Sequence, residues 1–84
     1  MKQLQLQHVA SLEVVMIQSS KAIERIMWDH SAGQMMIKFK DSPVYVYPTA
    51  TRSLFKEFVD AESKGRFFLA NIKKQHPKFL RLDN

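Results

Sequence analysis

Gln34-Met35-Met36-Ile37-Lys38-Phe39-Lys40-Asp41-Ser42-Pro43-Val44-Tyr45-Val46-Tyr47 is the stretch on which the fold turns. Met35, Ile37 and Phe39 alternate with Met36, Lys38 and Lys40, and a period of two puts the first set on one face of a strand and the second on the other. Asp41-Ser42-Pro43 interrupts the alternation as a tight turn, and Val44-Tyr45-Val46-Tyr47 resumes it as a β-branched and aromatic strand that Pro48 closes. Upstream, Ala22 to Trp28 is rich in Ile and aromatic residues. Asp29-His30-Ser31-Ala32-Gly33, between it and Gln34, has the length and terminal glycine of a hairpin loop. Three strands therefore pair as a small antiparallel β-meander.

Downstream the period changes. Leu54, Phe55, Phe58 and Val59 fall at i, i+1, i+4 and i+5, an apolar stripe on a helix whose other positions are Arg52, Lys56, Glu57 and Asp60. Thr49 or Thr51 can cap its first turn, and Gly65 is placed to end it in a left-handed conformation. A second short helix is predicted from Arg66 to Gln75, burying Phe68, Ile72 and Leu69 and ending before Pro77. Upstream of the meander, Val9, Leu12, Val15 and Met16 suit a helix, while Val14 to Gln18 equally suits a strand. A fourth strand at residues 13–18 is the favoured alternative. The fold class is α+β.

A chain of 84 residues with no repeats or linkers is expected to form one domain over residues 1–84, and a hydrophobic fraction of 45% is enough to give it a core. Cysteine is absent, which excludes disulfides and thiolate metal sites and suits a reducing compartment. No apolar run reaches the roughly 20 residues that span a bilayer, and Met1 to Gln7 has no continuous apolar stretch of the signal-peptide kind. A cytoplasmic protein without membrane contact is the expectation.

The charge is informative by position. Basic and acidic residues balance in residues 1–63, whereas Lys64, Arg66, Lys73, Lys74, Lys78 and Arg81 stand against Asp83 alone in residues 64–84, which accounts for the whole formal charge of +5. A positive field at one end suits phosphate, an acidic protein surface or anionic lipid, and a merely solubilising helix face explains it equally well.

Ile26-Met27-Trp28-Asp29, Met35-x-Ile37-x-Phe39, Tyr45-x-Tyr47, Ser63-Lys64-Gly65-Arg66-Phe67-Phe68 and Ile72-Lys73, in this order and spacing, resemble the KTSC domain. That domain is named after the C-terminal extension of some lysyl-tRNA synthetases and is also found as a free-standing protein of bacteria and phages. The resemblance runs over residues 19–78 and leaves residues 1–14 as an N-terminal extension. It implies a strand meander followed by helices, no catalytic activity, and RNA binding as the function suggested by the synthetase context. Two positions depart from the family pattern: Asp41-Ser42-Pro43 stands where a glycine turn is usual, and Leu69 where an Asn commonly follows the aromatic pair.

The residues argue against enzyme chemistry. His8, His30 and His76 lack the i, i+4 partner or neighbouring carboxylate of a metal site, and two glycines cannot build a phosphate or dinucleotide loop. Neither a metal nor a cofactor is expected. A binding role rests on Lys64, Arg66, Lys73, Lys74, Lys78 and Arg81, with Phe67 as the aromatic expected at the surface because Phe68 pairs with Ile72 in the core. Tyr45 and Tyr47 share a sheet face and could stack on unpaired bases. The competing reading, that they are mostly buried with hydroxyls at the edge, is favoured. The expected function is a non-catalytic module for RNA or single-stranded nucleic acid. The alternative is a protein-interaction module, such as a phage-encoded modulator of a host protein. Weak self-association through a sheet edge or through Val9 to Ile17 is a third option.

Overall fold

The computed structural model describes residues 11–82. The alternating stretches form one antiparallel sheet of five strands in sequential order, β1 (Leu12–Met16), β2 (Ile23–Asp29), β3 (Gln34–Phe39), β4 (Val44–Tyr47) and β5 (Leu80–Leu82). The predicted meander is its centre. Leu12–Met16 is a strand rather than a helix, Val9 of the helical alternative lying outside the described residues, and β5 adds an edge beyond the predicted strands.

Register explains which residues are inside. Trp28 pairs with Met35 and Met35 with Tyr47, while Ile26 pairs with Ile37 and Ile37 with Tyr45, so these side chains share the inner face. The β2–β3 turn is closed by Gly33, whose φ of +66° is a left-handed conformation that a Cβ disfavours. Asp29 Oδ1 accepts from the Ser31 and Ala32 amides across the same turn. On the outer face Val14, Met27, Met36, Val46 and Leu80 line up across the strands, with Met27 and Val46 buried in the middle of the row. Leu12, Val14, Met16, Leu80 and Leu82 remain exposed on this side.

Helix α1 (Arg52–Asp60) lies on the inner face and buries Phe55 and Phe58, with Leu54 and Val59 half-buried beside them. Of the two candidate caps, Thr51 accepts from the Leu54 amide at 3.1 Å. Thr49 Oγ1 instead lies 2.8 Å from His76 Nδ1. Arg52 donates to Glu13 Oε1 at 2.8 Å, joining α1 to β1.

Three expectations about the second helix need correction. Gly65 does not end α1 in a left-handed turn: α1 stops at Asp60, the chain runs extended through Ala61, and Ser63 caps a new helix by accepting from the Arg66 amide. Gly65 therefore lies inside α2 (Lys64–Phe67), which continues as a π-helix over Phe68–Lys73. Leu69 is 53% exposed rather than buried. The i→i+5 bonding of a π-helix widens the turn, so Phe68 and Ile72 face inward while Leu69 rotates out. Phe67 is not a free surface aromatic. Because α2 starts at Lys64, Phe67 closes its first turn facing α1 and stacks on Phe58 at 5.4 Å, half-buried against the core.

Candidate functional site

Beyond the π-helix, His76 donates its amide to the Ile72 carbonyl, Pro77 follows, and the chain turns back to lay Phe79 and β5 along β4. This return builds an aromatic cluster at the sheet's β4–β5 side. The Phe79 ring stacks on Tyr45, with centroids 5.1 Å apart and planes 2° from parallel, and lies 5.7 Å from Tyr47. Phe39 meets Tyr45 edge-on at 5.4 Å and Phe68 at 5.2 Å. The cluster lines an open pocket of about 340 Å³, formed by Phe39, Ser42, Tyr45, Tyr47, Phe68, Lys73 and Phe79. That size is within the range of small-ligand sites.

The two tyrosines differ in their availability. Tyr47 is 2% exposed, and burial first, then the neighbouring Tyr45, pushes its phenol up to about 12. Tyr45 is half-buried, and the Arg81 guanidinium lies 5.9 Å from its ring centre. With Phe79 and Arg81 against the Tyr45 ring, Phe79, which is 44% exposed, is the aromatic surface a flat ligand could reach.

The predicted basic residues separate into groups. Lys73 lines the aromatic cavity, Arg81 covers Tyr45, and exposed Lys74 and Lys78 adjoin Lys73 and Phe79 in the chain. Lys64 is elsewhere: its ammonium donates to the Ala61 carbonyl and it lines a cavity with Ser19 to Ala22. Arg66 is exposed on α2 and lines none of these cavities. Phe39 and Phe79 were missing from the sequence-derived site. Phe39 reads as plain core by its period, and Phe79 lies in a tail whose only signal is the short alternation Phe79-Leu80-Arg81-Leu82.

The histidines carry one correction. His30 Nε2 lies 3.2 Å from Glu13 Oε1, so a carboxylate neighbour exists that is 17 residues away in the chain and reaches it only through β1–β2 pairing. Glu13 is held below the ordinary carboxylate range by the Arg52 hydrogen bond. Among the described residues no three His, Asp or Glu side chains converge as metal ligands do, and His8 lies outside them. No helix among the described residues is long and apolar enough to cross a membrane.

Comparison with known proteins agrees with this architecture. A search of curated proteins found no match. Among solved structures the chain is similar to a KTSC domain protein from Yersinia pestis known from a crystal structure, with 26% identity and a TM-score of 0.76, covering 86% of this chain and 99% of that one. The family model for the KTSC domain matches residues 19–76, from the turn before β2 to just past the last helix. With that match spanning most of its length, the chain belongs to the KTSC domain family.

Proposed function

We propose that this domain is a non-catalytic, cytoplasmic binding module for single-stranded nucleic acid, RNA in the first instance, that holds a base in the aromatic cavity and phosphates on the cations around it. The observation that carries the reading is the cavity itself: an accessible Tyr45–Phe79 stack with Lys73 in its wall and Arg81 over one ring. Stacking on an aromatic face is tolerant of sequence and contributes about 1–3 kcal/mol per base, while cations along the rim add affinity that salt weakens. Exposed Lys74 and Lys78, next to Lys73 and Phe79 in the chain, add positive charge nearby in sequence, and Lys64, Arg66 and Phe67 fall outside this core of the site.

A salt titration of binding to an unstructured RNA tests the proposal. Affinity should fall linearly with salt on logarithmic axes. The double reversal Lys73→Glu with Lys74→Glu should abolish binding while leaving the circular dichroism spectrum unchanged. No binding by the wild-type protein at low salt would sink the proposal.

A protein-interaction role is the second reading, favoured by the exposed outer-face residues Leu12, Val14, Met16, Leu80 and Leu82, which give a second copy of the chain an apolar surface to cover. A light-scattering mass that stays monomeric at high concentration removes self-association. Of the segment expected to mediate it, Val9 and Ala10 lie outside the described residues.

A further inference from the structure

The aromatic cavity does not stand alone. A second cavity of about 360 Å³ shares Phe39 and Ser42 with it and adds Lys21, Lys40 and Asp41. A third, of about 370 Å³, shares Lys21 and Ala22 with the second and reaches Ser20, Ser63 and Lys64. The three cavities therefore adjoin one another in series. The last helix walls the two end cavities, with Lys64 in one and Phe68 and Lys73 in the other. The middle cavity between them is walled by the chain entering β2 and the turn between β3 and β4.

The lysines follow this course in the order Lys64, Lys21, Lys40, Lys73. Among the described residues no carboxylate forms an ion pair with Lys21, Lys40 or Lys73, although Glu62 and Asp41 stand in the walls. Two hydroxyls add donors. Ser20 Oγ accepts from the Ala22 and Ile23 amides and Ser63 Oγ from the Arg66 amide, which leaves each O–H to donate. Lys21 and Lys40 belong to the part of the sequence that is neutral overall, so charge counting along the chain passes over them.

We infer that the three cavities form one groove for the backbone of single-stranded nucleic acid, with Lys64, Lys21, Lys40 and Lys73 contacting its phosphates and one base entering the aromatic cavity at the Lys73 end. The inference rests on the nucleic-acid reading of that cavity and extends it from a single base site to a track. An acidic peptide would satisfy the lysines and leave the aromatic end unfilled. A nucleic acid strand uses both.

The test measures fluorescence anisotropy of a labelled oligouridylate across a salt series with three proteins: wild type, Lys21→Gln with Lys40→Gln, and Phe79→Leu. Each lost phosphate contact lowers the salt slope by roughly 0.7, so the lysine pair should lower it by about 1.4. Over a fourfold rise in salt, the double variant then loses affinity about sevenfold less than wild type does. Phe79→Leu should weaken binding at an unchanged slope. If Phe79→Leu weakens binding but the lysine pair leaves slope and affinity as they were, the groove is overturned and the aromatic site stands. If wild type does not bind the oligouridylate, both fall together. Tighter binding of an oligoglutamate peptide than of oligouridylate overturns the groove in favour of an acidic protein partner.

Discussion

Replacing Phe79 by alanine tests how the C-terminal return is attached. Complete burial of a Phe side chain is worth about 1.5–3 kcal/mol, and with 44% of Phe79 exposed a little over half of that, about 1–1.5 kcal/mol, is at stake. The parallel stack on Tyr45 at 5.1 Å adds one aromatic pair, which contributes about 0.5–1.5 kcal/mol. A loss of about 1.5–3 kcal/mol follows. Urea denaturation followed by the fluorescence of buried Trp28 reads it directly. Phe79→Leu keeps most of the apolar volume and loses the ring stack, so it should be the milder change to stability. In binding it should cost most of the roughly 1–3 kcal/mol of one stacked base, a factor of about 5 to 150. A Phe79→Ala protein as stable as wild type would refute the docking of this segment on β4. A loss as large as that of a fully buried Phe would show that the ring is core and unavailable to a ligand.

Three further outcomes check the packing and the titrating groups. Phe58→Ala should cost about 3–5 kcal/mol, since Phe58 is fully buried, and a double-mutant cycle with Phe67→Ala should return a coupling of about 0.5–1.5 kcal/mol; a coupling near zero would mean the two rings do not stack. Tyr47 is raised from 10.0 to about 12, so its contribution to stability is complete below pH 10 and is lost as pH rises toward 12; Tyr47→Phe should remove that alkaline decline in a pH series of thermal melts. Glu13 is lowered from 4.5, chiefly by its hydrogen bond to Arg52, so its contribution is present above the ordinary carboxylate value and disappears as pH falls through the lowered one. Carboxyl NMR of Arg52→Gln should show Glu13 titrating at higher pH, and an unmoved titration would discount the bond.

Local pattern carried the central architecture. Met35, Ile37 and Phe39 reveal their buried face because alternate residues of a strand lie on opposite sides, and Tyr45 and Tyr47 fall on the same face once the hairpin register brings Ile37 beside Tyr45. Phe55 and Phe58 are legible for the same reason, with a helical period in place of two. Leu80-Arg81-Leu82 could not be read in this way: three exposed residues have no buried face of their own, and the free edge of β4 makes them a strand. Gly65 and Phe67 were misplaced together, because a glycine after a helix signals its end unless, as here, Ser63 has already begun another.

The site divides along the same line. The concentration of charge in residues 64–84 and the Tyr45–Tyr47 pair are visible in the linear chain, since like charges and alternate aromatics are patterns of near neighbours. The meeting of Phe39, Tyr45, Phe68 and Phe79 joins two strands, the last helix and the tail, and the line from Lys64 through Lys21 and Lys40 to Lys73 crosses the chain more than once. Those groupings come from packing. Apolar burial draws the helix and tail onto the sheet without regard to sequence distance, and the side chains left around the seam become neighbours only after the chain has folded.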